Sequence, residues 1–241
     1  MAVSKQAAVK PRVRSAAATA SGRPAAKASA RQRLGYYNQS TDFTCGPSSL
    51  MMAMNALDPK TKISRSLELQ LWREATTIFM GDGHGGCSAL GLALAAKRRG
   101  FGAEVWMNRS GVFLADRLDG KDRIAAMRLL QEADLAEAKR QRIPVHRGRT
   151  DLTALRRAMD RGAIPVVLVS TQLFHGDDGP HWLVVSDITD DAVKVNDPWI
   201  SRDQGQTARR QTGRAVSHAD FDRMTVYGPK KERATVLIRH G

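Results

Sequence analysis

Cys45 and Cys87 are the only two thiols in the 241-residue chain, and only Cys45 stands where a thiol becomes a nucleophile. Gly46-Pro47 follows it, then a run of apolar and small residues to Leu57. That run reads as a buried helix with Pro47 in its first turn, where the missing N–H is not needed. Cys45 is therefore expected at a helix N-terminus, where aligned peptide dipoles stabilise a thiolate. A partner imidazole has to come from elsewhere. His181 follows Gly179-Pro180 and opens Trp182-Leu183-Val184-Val185, at the mouth of a core strand. Past a turn at Thr189-Asp190-Asp191 comes Asn196-Asp197-Pro198. A hairpin would return Asp197 to His181, where its carboxylate can fix the tautomer and stabilise the imidazolium. Gln39 can supply a side-chain N–H beside the backbone N–H of Cys45 as an oxyanion hole. Nucleophile, base, orienter and oxyanion donors are the parts of acyl transfer through a thioester.

Other candidates carry less. His84-x-x-Cys87 offers two metal ligands where four are usual, so neither metal nor cofactor is expected. The Gly81–Gly86 run lacks the lysine and spacing of a phosphate loop, and His84 within it is a candidate for lining a cleft. His175 precedes His181 closely and competes with it as the base, but no downstream partner for it is evident. Asp187 is the fallback orienter, at the far end of the same strand. His146, His218 and His240 read as surface or packing residues. Trp182 and Trp199 read as packing around the histidine and carboxylate.

The elements that must position these groups follow from periodicity and punctuation. Helices are expected over 48–57 (Pro47 in the first turn, Cys45 at or just before the start), 66–77 (inner face Leu67, Leu71, Ala75), 87–99, 122–141 and 151–160, with caps at Thr150 or Asp151 and a stop at Gly162. Strands are expected over 103–107, 164–170, 181–187, 193–196 and 234–239, the third and fourth forming the hairpin. Helices first and strands later indicate an α+β fold, N-terminal helices packed on an antiparallel β-sheet.

The chain has a net charge of +14, 42% hydrophobic and 26% charged residues. Residues 1–33 hold eight Lys and Arg and no acid. Without apolar periodicity they are expected to form a disordered basic tail that contacts anionic surfaces or nucleic acid weakly. Residues 34–241 are expected to form one domain. No apolar run reaches the roughly 20 residues of a membrane span, and no export signal is evident, so the cytoplasm is the expected location. Two cysteines exclude a disulfide framework.

Tyr37-Asn38-Gln39, Asp42-Phe43-Thr44-Cys45-Gly46-Pro47, Pro180-His181-Trp182-Leu183-Val184-Val185 and Asn196-Asp197-Pro198 together resemble the double-glycine (bacteriocin-leader) peptidase-like family of the papain clan. The block from Phe79 to Cys87, with Gly91-Leu92-Ala93-Leu94-Ala95-Ala96 and Arg99-Gly100, is similar to its stand-alone bacterial branch, linked to ATP-grasp ligases and acetyltransferase domains in peptide maturation. The resemblance implies a papain-like fold, a peptide or protein substrate, and Cys45 as nucleophile, His181 as base, Asp197 as orienter and Gln39 as oxyanion donor. The spacing of 136 residues from Cys45 to His181 falls within the roughly 130–150 of papain-type enzymes. The residues alone leave peptide or isopeptide cleavage, acyl transfer and deamidation open, along with a non-catalytic peptide-binding module.

Overall fold

A computed structural model describes residues 34–76, 85–201 and 203–241. The expected tail over 1–33, the end of the second helix at 77 and the Gly81–His84 part of the glycine loop lie outside the described residues. The helices are α1 (Cys45–Leu57), α2 (Arg65–Ala75), α3 (Ala89–Arg98), α4 (Lys121–Arg140), α5 (Leu152–Asp160), α6 (Gln172–His175), α7 (Ala208–Gln211) and α8 (His218–Met224). The strands are β1 (Gly102–Met107), β2 (Val145–Arg147), β3 (Ile164–Ser170), β4 (Pro180–Ile188), β5 (Ala192–Asn196), β6 (Arg214–Ser217) and β7 (Ala234–Arg239). They form one sheet in the order β2-β1-β7-β3-β4-β5-β6. Every pairing is antiparallel except β1 with β2. The α+β class and the helices-on-antiparallel-sheet layout are as expected.

The central strands are buried on both faces, so their side chains alternate between two cores rather than between core and water. Val166, Leu168, Trp182 and Val184 face the core shared with α1, α2 and α3. Val167, Val169, Leu183 and Val185 face the one shared with α5 and α8. Helix α1 lies against β4 closely enough that a Cβ on Gly46 would sit 3.1 Å from Cys87 Cβ and 3.2 Å from the Trp182 ring. Two bonds fasten this contact: Ser49 Oγ donates to the Trp182 carbonyl (3.1 Å) and Trp182 Nε1 donates to the Cys87 carbonyl (3.0 Å).

Several expectations need correction. The helix expected to begin at Cys87 starts at Ala89. Ser88 is its N-cap and accepts from Gly91 N–H, while Cys87 itself bridges Thr76. The inner face of α2 is Glu68, Leu71 and Ala75; Leu67 is only partly buried. An acid thus occupies a core position that hydrophobic patterning assigned to leucine. The short strands β2 and β6 and helices α6, α7 and α8 have too few residues to show a period.

Candidate active site

Cys45 is the first residue of α1. Thr44, at the N-cap, spends its hydroxyl proton on Glu68 (2.5 Å) rather than on the helix. His181 lies at the start of β4, and the β4–β5 hairpin brings Asp197 back to it across a register that pairs Val184 with Asn196. His181 Nε2 is 2.7 Å from Asp197 Oδ1. The other ring nitrogen is thereby left for Cys45, which lies close enough to the same imidazole to favour its charged form. Cys45 (5% exposed) and His181 (5%) look into a cleft of about 570 Å³, to which Gln39 also contributes. Phe43, Phe113, Leu114, Leu118 and Met127 give the cleft an apolar wall, and Gly85 and Gly86 line it without side chains.

Asp197 is completely buried, yet its oxygens are saturated with donors. Oδ1 accepts from His181 and from the Trp199 N–H (2.9 Å), and Oδ2 faces His175 Nε2 at 2.9 Å. Burial alone would raise the Asp197 pKa, but the two histidines hold it well below the usual carboxylate range. For His181, burial opposes the charged form. The Asp197 carboxylate, then the neighbouring Cys45, and the hydrogen bond to Asp197 reverse that and push its pKa up to about 10.

His175 does have a downstream partner, contrary to expectation, and it is Asp197 itself. It lies on the four-residue helix α6 and lines the cleft. Gln206 Oε1 accepts from the Ser201 N–H (2.9 Å) and from Gln211 Nε2 (2.6 Å), so its amide nitrogen is the end facing His175 Nδ1, at 3.4 Å. Both protons of that nitrogen go to the nearer Gln204 Oε1 (2.9 Å) and Phe174 carbonyl (3.2 Å), and the Asp197 carboxylate can only accept, so His175 Nε2–H is the donor to it. His175, His181 and Asp197 also offer three ligand atoms within 4.8 Å of one another. Their N···O separations of 2.7 and 2.9 Å are shorter than the roughly 3.3 Å that a tetrahedral ion with bonds of about 2.0 Å imposes on its ligands. Shared protons account for this cluster.

Gln39 is buried at 4% exposure, and its backbone N–H donates to the Pro198 carbonyl (2.8 Å), joining the loop before Cys45 to the segment after Asp197. Its Nε2 donates to the Thr41 carbonyl (2.7 Å), while Oε1 has no partner. Reversing the amide would set two oxygens against each other. The amide therefore keeps this sense, with its second N–H still to be used.

The remaining candidates fall elsewhere. Cys87 is buried behind Gly46, and burial, then the neighbouring Cys45, raises its pKa well above the usual thiol value. Asp187 pairs with Lys194 (3.5 Å) at the other end of β4. His146 stacks on Trp106, His218 bonds the Thr189 carbonyl and His240 is exposed. Glu68 was missed by sequence reasoning. It accepts from Tyr37 Oη (2.9 Å), Ser40 N–H (2.8 Å), Thr44 Oγ1 (2.5 Å) and Ser48 Oγ (3.0 Å).

A helix-borne thiol facing a strand-borne histidine across a cleft, with a buried acid behind the ring, is the layout of papain-like proteins. Residues 34–239 match the Peptidase_C39 like family, and the chain belongs to that family. A crystal structure from Bacillus anthracis, assigned as a C39-like peptidase, is similar over 86% of this chain and 94% of its own, with 13% identity and a TM-score of 0.49. No curated protein matches. Among the described residues no helix is long and apolar enough to cross a membrane.

Proposed function

We propose that the protein is a cysteine peptidase that cleaves a peptide or isopeptide bond through Cys45, His181 and Asp197, with Gln39 as an oxyanion donor. One observation carries this reading: a single imidazole, bonded on one nitrogen to a buried carboxylate, shares the floor of an open cleft with the thiol, whose charge favours its protonated form. His181 holds, as an imidazolium, the proton that Cys45 gives up, and the thiolate attacks the substrate carbonyl carbon. The oxyanion is held by the Cys45 backbone N–H and the second N–H of Gln39. His181 then protonates the departing amine, leaving a thioester that water hydrolyses, with His181 as base. The apolar wall and the Gly85-Gly86 edge suit an extended peptide with an apolar side chain. Membership of the double-glycine branch, ATP-grasp ligase or acetyltransferase partners and a cytoplasmic site of action belong to the same proposal.

A peptide library incubated with the parent and with Cys45→Ala, read by mass spectrometry, tests it. Products are expected from the parent alone, and activity retained by Cys45→Ala would end the assignment. Products joined to an added amine, or deamidated, would turn the reading to acyl transfer or deamidation. Binding of peptides without any product would favour a non-catalytic module. Limiting iodoacetamide near neutral pH is expected to modify Cys45 well ahead of Cys87; the reverse order would argue against the site.

A further inference from the structure

Glu68 is a fully buried acid that the proposed chemistry does not use. It continues the inner face of α2 made by Leu71 and Ala75, where an apolar side chain would fill the space without the desolvation penalty of a carboxylate. Its four hydrogen bonds are not spread over the fold. All run to residues 37–48, the segment that carries Gln39 and Cys45. Ser40 N–H is the peptide next to Gln39, Thr44 immediately precedes Cys45, and Ser48 lies one turn into α1. Every partner here donates. The Thr44 proton goes to Glu68, and Thr41 Oγ1, 2.9 Å from Thr44 Oγ1, then donates to that hydroxyl. Gln39 is thus pinned from two sides, by the Pro198 carbonyl on its own N–H and by Glu68 on the next.

We propose that Glu68 is a positioning residue that sets the oxyanion donors, the Gln39 amide and the Cys45 N–H, at a fixed separation by clamping the loop between them to α1. This role rests on the thiol-hydrolase reading above. It predicts a division between two reactions of the same sulfur. Acylation by p-nitrophenyl acetate forms an S–C bond through a tetrahedral oxyanion and then expels p-nitrophenolate. Alkylation by iodoacetamide forms an S–C bond as iodide leaves, with no oxyanion at all.

Both rates are measured at Cys45 by peptide mass spectrometry and expressed per folded molecule, with folding read by circular dichroism. Glu68→Gln keeps an acceptor for Ser40, Thr44 and Ser48 but loses the charge. It is expected to slow acylation about 10- to 30-fold, less than the 100- to 1000-fold of deleting a donor outright, and alkylation by less than about 3-fold. Tyr37→Phe removes one donor and leaves the carboxylate. It is expected to show the same division at about two- to fivefold in acylation, and it carries the test if Glu68→Gln does not fold. Acylation unchanged per folded molecule would make Glu68 a structural residue only. Equal slowing of both reactions would mean that it acts on the thiol, which also overturns the proposal. A parent that is acylated at Cys45 no faster than unfolded chain overturns the hydrolase reading itself, and the Glu68 role falls with it.

Discussion

Two fully buried carboxylates flank Cys45, and they differ in the company they keep. Asp197 is bonded to the imidazoles of His181 and His175, and its charge is answered by the His181 imidazolium. Glu68 is surrounded by hydroxyls and a peptide N–H that never change charge in the working range. Burial alone would raise the pKa of both, yet both are held low, Asp197 by its histidines and Glu68 by hydrogen bonds from Thr44, Ser40 and Tyr37. The lesson is that the partners, more than the burial, decide what an interior acid does. An acid facing imidazoles can govern proton transfer, whereas one facing only fixed donors can hold a shape.

The comparison breaks first at Asp197. Asp197→Asn keeps the shape but removes the charge that sustains the His181 imidazolium. Turnover is expected to fall by on the order of 10³-fold or more, measured as kcat against a peptide the parent cleaves. A loss under tenfold would place the orienting role elsewhere.

Glu68→Ala is expected to act on stability instead. It takes the shared acceptor from the buried Thr44 and Ser48 hydroxyls and from the more accessible Tyr37 hydroxyl and Ser40 N–H, at a cost of about 3–5 kcal/mol by analogy with breaking a buried polar pair. Urea unfolding checks this, and a loss below about 1 kcal/mol would mean that water or rearrangement satisfies the donors.

The pH dependence of stability separates the two acids more finely. The folded pKa of His181 is raised to about 10, so its contribution is fully present below the unfolded value of about 6.5 and is lost as pH rises through about 10. Asp197 and Glu68 have folded values below their unfolded ones. Their contributions are present above pH about 4 and are lost as pH falls below it. Melting temperature should therefore decline at both ends. Asp197→Asn should flatten both declines, and Glu68→Gln only the acid one. An alkaline decline unchanged in Asp197→Asn would contradict the His181–Asp197 pairing.

His175→Asn gives the smallest effect. Asp197 loses one of three donors while His181 keeps its bond, so a cost of about 1–2 kcal/mol in stability is expected. The carboxylate then bears more fully on His181, and the alkaline decline should move to higher pH. A move to lower pH would show that His175 supports the imidazolium rather than sharing its counter-charge.

Much of this site is legible without coordinates, and the reason is local. A thiol ahead of Gly-Pro and an apolar run, a histidine at a strand mouth and an Asp-Pro after a hairpin each announce their position through turn and period signals of a few residues. The hairpin alone brings Asp197 to His181, because its register leaves little choice. Strands β3 and β7 are read to the residue, since Val and Ile runs bounded by turns leave no other element possible.

What stayed hidden involves helix phase and short elements. On α2 the pattern offers Leu67, Leu71 and Ala75, and only packing reveals that the helix is turned to bury Glu68 instead. His175 looked partnerless because its carboxylate lies 22 residues on and meets it through a four-residue helix with no period of its own. The chain by itself thus determined which groups could do thiol chemistry, since that depends on residue type and on neighbours along the backbone. Only the folded molecule decided which buried acid faces which donors. That pairing depends on how separate segments pack, and the free energy of a buried charge is set by neighbours in space.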